Sequence, residues 1–207
     1  DAWTAIWDMI LGWLLPGEKI PQLTWTPDVA PTYAPNVAMP CQAENEAIKK
    51  GTEWFYRANI FMAESWRKVY DDEARDWLVN GDPVPNHLDW PHGDGECGAL
   101  EGARSHIRRD GSQEMSWWVR NDCNAEIIGA LAFSGAVNRQ ERYLRTARNL
   151  DRFLYQDSIL SQGDRAREDS PEFGLIGWND VAHYSEDLNG FGVYYGDDNA
   201  RGMLAGM

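Results

Sequence analysis

The sequence predicts an all-α chain arranged as an α/α toroid with long ordered loops, of which the 207 residues hold only part. Three observations carry this expectation. Residues 121–135, apolar on nearly every side, are followed after a short turn by residues 139–157, apolar on one side only, as an inner and an outer helix would be. A second polar helix start recurs at Asp198 and reads as a further inner helix. The pattern then stops at Met207 without the Gly, Pro or basic residues that usually close a helix, so further polypeptide completing the toroid is expected.

Taken in order, the elements are these. Residues 2–15 space Trp3, Ile6, Trp7, Ile10 and Leu14 at helical intervals and carry Asp1 and Asp8 without a basic leader, which predicts a packed amphipathic helix rather than a signal peptide. Six of the ten prolines fall between Pro16 and Pro40, which excludes a helix and predicts an extended segment wrapped over a surface. Residues 1–40 are therefore set apart from a toroid portion over 41–207. From Gln42 to Val69, Ile48, Phe55, Met62 and Val69 recur every seven residues, with Trp54, Ala58 and Phe61 beside them, predicting one long buried helix. Residues 81–116, rich in Gly, Pro, Asp and His, read as a long ordered loop with a small hairpin. In the outer helix, Tyr143, Leu144, Ala147, Leu150, Phe153 and Leu154 face one side and Arg139, Glu141, Arg142, Arg145, Arg148 and Arg152 the other.

Composition narrows the partners. With 33 Asp and Glu against 19 Lys and Arg, the formal charge is −14, which argues against nucleic acid. No stretch approaches the ~20 apolar residues of a membrane span. Cys41, Cys97 and Cys123 allow at most one bridge and show no zinc spacing, so they leave the compartment open, with a periplasmic or extracellular setting preferred. Asp180, His183, Glu186 and Asp187 could be drawn as a metal site, but no second His joins them, and neither a metal nor another cofactor is expected. Eleven Trp exceed what a core of this size needs, and two explanations compete: rings lining a saccharide cleft, or rings filling gaps between helices. Trp3, Trp7, Trp54 and Trp66 sit at core spacing, whereas Trp90, Trp117, Trp118 and Trp178 lie in or beside the loops at the expected mouth.

Chemistry-bearing residues gather at the two later inner-helix starts: Arg120, Asn121, Asp122, Asn124 and Glu126 in one, Asp197, Asp198, Asn199 and Arg201 in the other. Asp122 and Glu126 share a face with Trp118, and a carboxyl beside an apolar ring is suited to donate a proton near neutral pH. The competing role is capping, since an Asp or Asn at a helix start accepts a free backbone N–H. Arg104, His106 and Arg108 alternate along one face of an extended segment, where they would hold a ligand carboxylate or pair with the abundant acids.

Three segments, GDGECGALEGARSHIRRDGSQ, SWWVRNDCNAEIIGALAFSG and YYGDDNARGMLAG, resemble the six-hairpin glycosidase superfamily, which includes relatives of uronic-acid-releasing glycosidases. The likeness runs from about Ala43 to the C-terminus and is strongest over 93–135. In that superfamily, unsaturated glucuronyl and rhamnogalacturonyl hydrolases carry a catalytic Asp at the start of an inner helix. Asp122-Cys123-Asn124 is similar to that element, so the resemblance implies Asp122 as general acid/base. The expectation is a glycoside hydrolase acting on a uronic-acid-containing saccharide. Asp198, Asp197 or Glu126 would be the second carboxylate, with Arg104, His106, Arg120 and Arg201 on the sugar carboxylate and Trp117 or Trp118 stacked on a ring. The alternative is a non-catalytic saccharide-binding or structural half-toroid subunit.

Overall fold

The computed structural model describes residues 2–24, 31–79, 87–110, 112–180 and 193–207, and the chain divides into two compact units, Asp1–Met39 and Pro40–Met207. Helices make up 55% of the chain and the described strands form a single hairpin, so the protein is mainly helical. Among the described residues no helix is long and apolar enough to cross a membrane.

In the first unit, helix α1 (Ala2–Leu14) ends in a turn at Pro16 and Gly17, where Gly17 takes φ +84°. The chain then folds back, bringing Ile20 Cδ1 to within 3.3 Å of where a Cβ on Gly12 would sit. The described remainder, 15–24 and 31–39, contains no helix, as six ring-locked φ angles between Pro16 and Pro40 require. Trp3 and Trp7 are not packed inside: they are 65% and 41% exposed, because α1 is apolar around most of its circumference and so short a unit cannot cover all of it.

The second unit begins with α2 (Ala43–Arg57), and the single helix expected to Val69 breaks here. Asn59 turns left-handed at φ +50° and its amide donates to Trp90 O at 2.9 Å. Residues 60–62 then run extended: Ile60 O accepts from Leu100 N, Met62 N donates to Gly98 O, and Phe61 and Met62 bridge Ala99 and His92. The seven-residue apolar recurrence is thus satisfied by burying Ile60, Phe61 and Met62 in a bridge to the 92–100 segment rather than along one helix. Trp54, placed at core spacing, is 40% exposed. The chain resumes as α3 (Glu64–Val79), on which Trp66 stacks against Trp90 with ring centroids 4.3 Å apart.

The expected small hairpin is present as β1 (Gly102–Ile107) and β2 (Gln113–Ser116), antiparallel, with Gly102 opposite Ser116 and Ile107 opposite Gln113. Beyond it lies α4 (Asn121–Asn138), an inner helix in the local sense: Asn121, Ala125, Ile128, Leu131 and Ser134 are all buried, and α2, α5 and α6 pack on it. Arg139 closes α4 in the left-handed conformation, and a two-residue turn leads into α5 (Glu141–Arg152). This second helix buries one face only, Tyr143, Thr146, Ala147 and Leu150. The two helices approach closely at Gly135, where a Cβ would come within 2.7 Å of Leu144. A π-helical turn, Phe153–Asp157, and two short 3-10 turns follow, and the last element is α6 (Gly196–Ala205), packed along α4.

Candidate functional site

Two asparagines anchor the site. Asn124, in the first turns of α4, accepts from Ala99 N at 2.9 Å and donates to Ala99 O at 3.0 Å, so it brackets the backbone of one residue of the preceding loop. Asn199, in the first turns of α6, does the same to Ile176, at 2.8 and 3.2 Å. Each helix start is thereby tied to the loop before it by a pair of hydrogen bonds that only a side-chain amide supplies. Segment 178–180 runs beside 119–121: Asn121 N donates to Trp178 O at 3.0 Å, Asp180 N donates to Val119 O at 3.1 Å, and Arg120 bridges Asn179.

This scaffold brings the two helix starts together. Arg201 of α6 reaches Glu126 at 3.0 Å and Asp122 at 3.5 Å on α4, and Asp197 on its own helix at 3.6 Å. Arg120 donates from Nη2 to Asp122 Oδ2 at 2.8 Å and from Nη1 to Glu101 Oε1 at 3.0 Å, with its guanidinium 5.6 Å from the Trp178 ring. Asp122 and Asp198 form the interior of this cluster, 6% and 4% exposed. Glu126 and Asp197 are exposed and stand at its rim.

Neither buried Asp is a cap. The N-cap positions are Arg120 and Tyr195, without a side-chain capping bond at either, so the capping role left open by the sequence is not the one these carboxylates fill. Their surroundings differ. Asp122 Oδ2 has two guanidinium neighbours. Burial pushes the Asp198 carboxyl above its ordinary range, and the charges of Asp122 and Asp197 add to this against the opposing pull of Arg120 and Arg201. Burial, with the charge of Asp122 beside it, pushes the Cys123 thiol up to about 12.

Six side-chain polar atoms here are buried without a hydrogen-bond partner among the described residues: Glu101 Oε2, Arg120 Nε, Asn121 Oδ1 and Nδ2, Asp122 Oδ1 and Asp198 Oδ2. Unsatisfied buried polar atoms cost about 1–3 kcal/mol each, so these atoms need water or another partner. Asn121 Oδ1 faces Gly202 of α6, 3.7 Å from where a Cβ would stand.

The other expected site residues fall differently. Trp117 is 8% exposed with its ring edge-on to Tyr70 at 6.1 Å, so it belongs to the core and cannot stack on a ligand. Trp118 is half-buried against that core and precedes α4, so it does not share a helix face with Asp122 and Glu126. Trp90 is likewise in the core, under Trp66. The aromatic rings at the cluster are instead Trp178 and Tyr195, edge to face at 5.6 Å. Arg120 has its fork committed to Glu101 and Asp122 and holds the site together rather than offering itself to a ligand. The backbone of Arg104 and His106 lies in β1, while their side chains fall outside the described residues.

Asp180 serves the fold: it is 1% exposed and accepts from Tyr70 Oη and Val119 N, both at 2.9 Å. His183, Glu186 and Asp187, its companions in the metal pattern, lie outside the described residues, and no group of metal-ligating side chains occurs among those described. Glu101 is the participant that sequence reasoning passed over. It lies 19 residues before Arg120, in a Gly-rich loop, and long-range contacts make them neighbours: the Asn124 clamp on Ala99, the bond from Glu101 N to Trp118 O at 2.9 Å and the pairing of Gly102 with Ser116. Comparison with models of known protein families, with curated proteins and with solved structures gives no match.

Proposed function

We propose that the chain forms part of an α/α-toroid glycoside hydrolase acting on a uronic-acid-containing saccharide. The observation that carries this reading is the pair of buried carboxyls, Asp122 and Asp198, on two neighbouring helix starts, with Asp198 pushed above the ordinary carboxylate range by burial. Glycoside hydrolysis needs two such groups, one to protonate the departing oxygen and one to direct water or attack the sugar carbon. Asp198, whose neutral form is favoured by burial and by its acidic neighbours, is the proton donor. Asp122, held by Arg120 and Arg201, is the carboxylate partner. This reverses the priority implied by the family likeness, in which Asp122 alone carried the acid/base role.

Arg201 is half-exposed at the rim, where its guanidinium can exchange the exposed Glu126 for a substrate carboxylate of the same geometry. Trp178 and Tyr195 offer the flat rings on which a sugar face packs. The test is cleavage of a panel of uronic-acid oligosaccharides. Asp198→Asn and Asp122→Asn are each expected to lower kcat by at least ~10²-fold on a saccharide that the parent cleaves. Full activity in either variant removes that residue from the mechanism, and binding without cleavage by the parent would favour a non-catalytic saccharide-binding subunit.

A further inference from the structure

A second cleft, of 370 Å³, opens between α2, α5 and the turn at His92–Asp94. It stands apart from the carboxylate cluster. Arg142 and Arg145 lie in the first turns of α5, which runs back antiparallel from the far end of α4, and the 18 residues of α4 span about 27 Å.

The floor of the cleft is fixed in place. The Tyr56 ring stacks on Tyr143 at 5.8 Å, and its hydroxyl donates to Thr146 Oγ1 at 3.1 Å. The Arg142 guanidinium lies 3.6 Å from the Tyr56 ring centroid and 3.6 Å from Glu53, which also accepts from the Tyr143 hydroxyl. Glu53 and Arg142 are thus occupied with each other. Above them, Arg57 and Arg145 line the same cleft and have no carboxylate within ion-pairing distance among the described residues. Arg67, Arg120, Arg148, Arg152, Arg167 and Arg201, by contrast, each hold at least one carboxylate. The carboxylates lining the cleft are Glu53 and Asp94, the latter accepting from Glu96 N at 3.3 Å, and the imidazole of His92 completes the wall.

We infer that this cleft binds a doubly charged oxyanion, phosphate or sulfate, either free or as the ester group of a small ligand. Two guanidiniums without acid partners beside an imidazole present planar N–H forks to a tetrahedral oxyanion. The aromatic floor is covered by Arg142 and leaves no bare ring for a sugar or base to stack on, so charge is what the cleft recognises. The inference is independent of the saccharide reading.

The test is isothermal titration of the full chain at low ionic strength with sodium phosphate, sodium sulfate and glucose 6-phosphate, and with sodium chloride at matched ionic strength. Saturable one-to-one binding of at least one oxyanion is expected, with none for chloride, and the tighter of inorganic phosphate and the ester identifies the source. Arg57→Gln combined with Arg145→Gln is expected to weaken that binding by ~10-fold or more. Both side chains are exposed, so the variant should melt like the parent in chloride and lose only the rise in Tm that phosphate gives the parent. Absence of saturable binding, equal binding by the double variant, or a chloride effect as large as that of phosphate would overturn the inference.

Discussion

Asp122 and Asp198 are the same side chain in the first turn of two adjoining helices, yet their neighbours differ. The raised carboxyl of Asp198 has a consequence for stability that can be signed. The native state takes up a proton at higher pH than the unfolded chain does, so it binds more protons between the ordinary carboxylate value and the raised native one. Stability from this group is therefore complete below the ordinary value and is lost as pH rises through the raised one. Asp198→Asn removes the charge, so its Tm relative to the parent should climb from pH 4 to pH 7 while cleavage is lost. A difference in Tm that does not change with pH would contradict the assignment. These two residues, with Arg201, Glu126 and Asp197, could be picked out in the sequence because charged residues at the head of apolar helices are conspicuous. Trp117 could not be sorted in this way: an indole in a loop looks the same whether it faces a ligand or, as here, Tyr70 in the core.

At the level of elements, the same device recurs. Asn124 and Asn199 each sit close behind a buried Asp and grip the backbone N–H and C=O of one residue of the preceding segment, which sets the height of each helix start against its loop. Replacing Asn124 with Ala leaves the N–H and C=O of Ala99, itself 0% exposed, without those partners. A loss of about 2–4 kcal/mol in urea unfolding is expected. A variant as stable as the parent would mean that water replaces the amide at no cost. The helix pair α4 and α5 was legible because its periods are local, apolar all round for one and one-sided for the other. The break after α2 was not, since Phe61 and Met62 pair with Ala99 and His92, far along the chain, and a seven-residue recurrence cannot tell a long helix from a helix and a bridge.

Across the whole molecule, α4 is the element around which the second unit is assembled, with α2, α5 and α6 packed on it. Leu131, 0% exposed in its middle turn, should cost about 2–5 kcal/mol when replaced by Ala, measured by chemical denaturation. A cost below that range would mean that the neighbouring helices close over the gap. The sequence by itself determined the helical class, the inner and outer characters of α4 and α5, the helix-free proline segment and the acidic clusters at two helix starts. Each follows from local steric limits and from the periodicity of burial. The tertiary structure decided which carboxylates are buried together, that Arg120 holds the site instead of its ligand, that Trp178 replaces Trp117 at the rim, and that Arg57 meets Arg145 in a cleft. Those outcomes depend on contacts between residues distant in the chain, and charge, burial and pKa take their values from such neighbours rather than from the residues beside them in sequence.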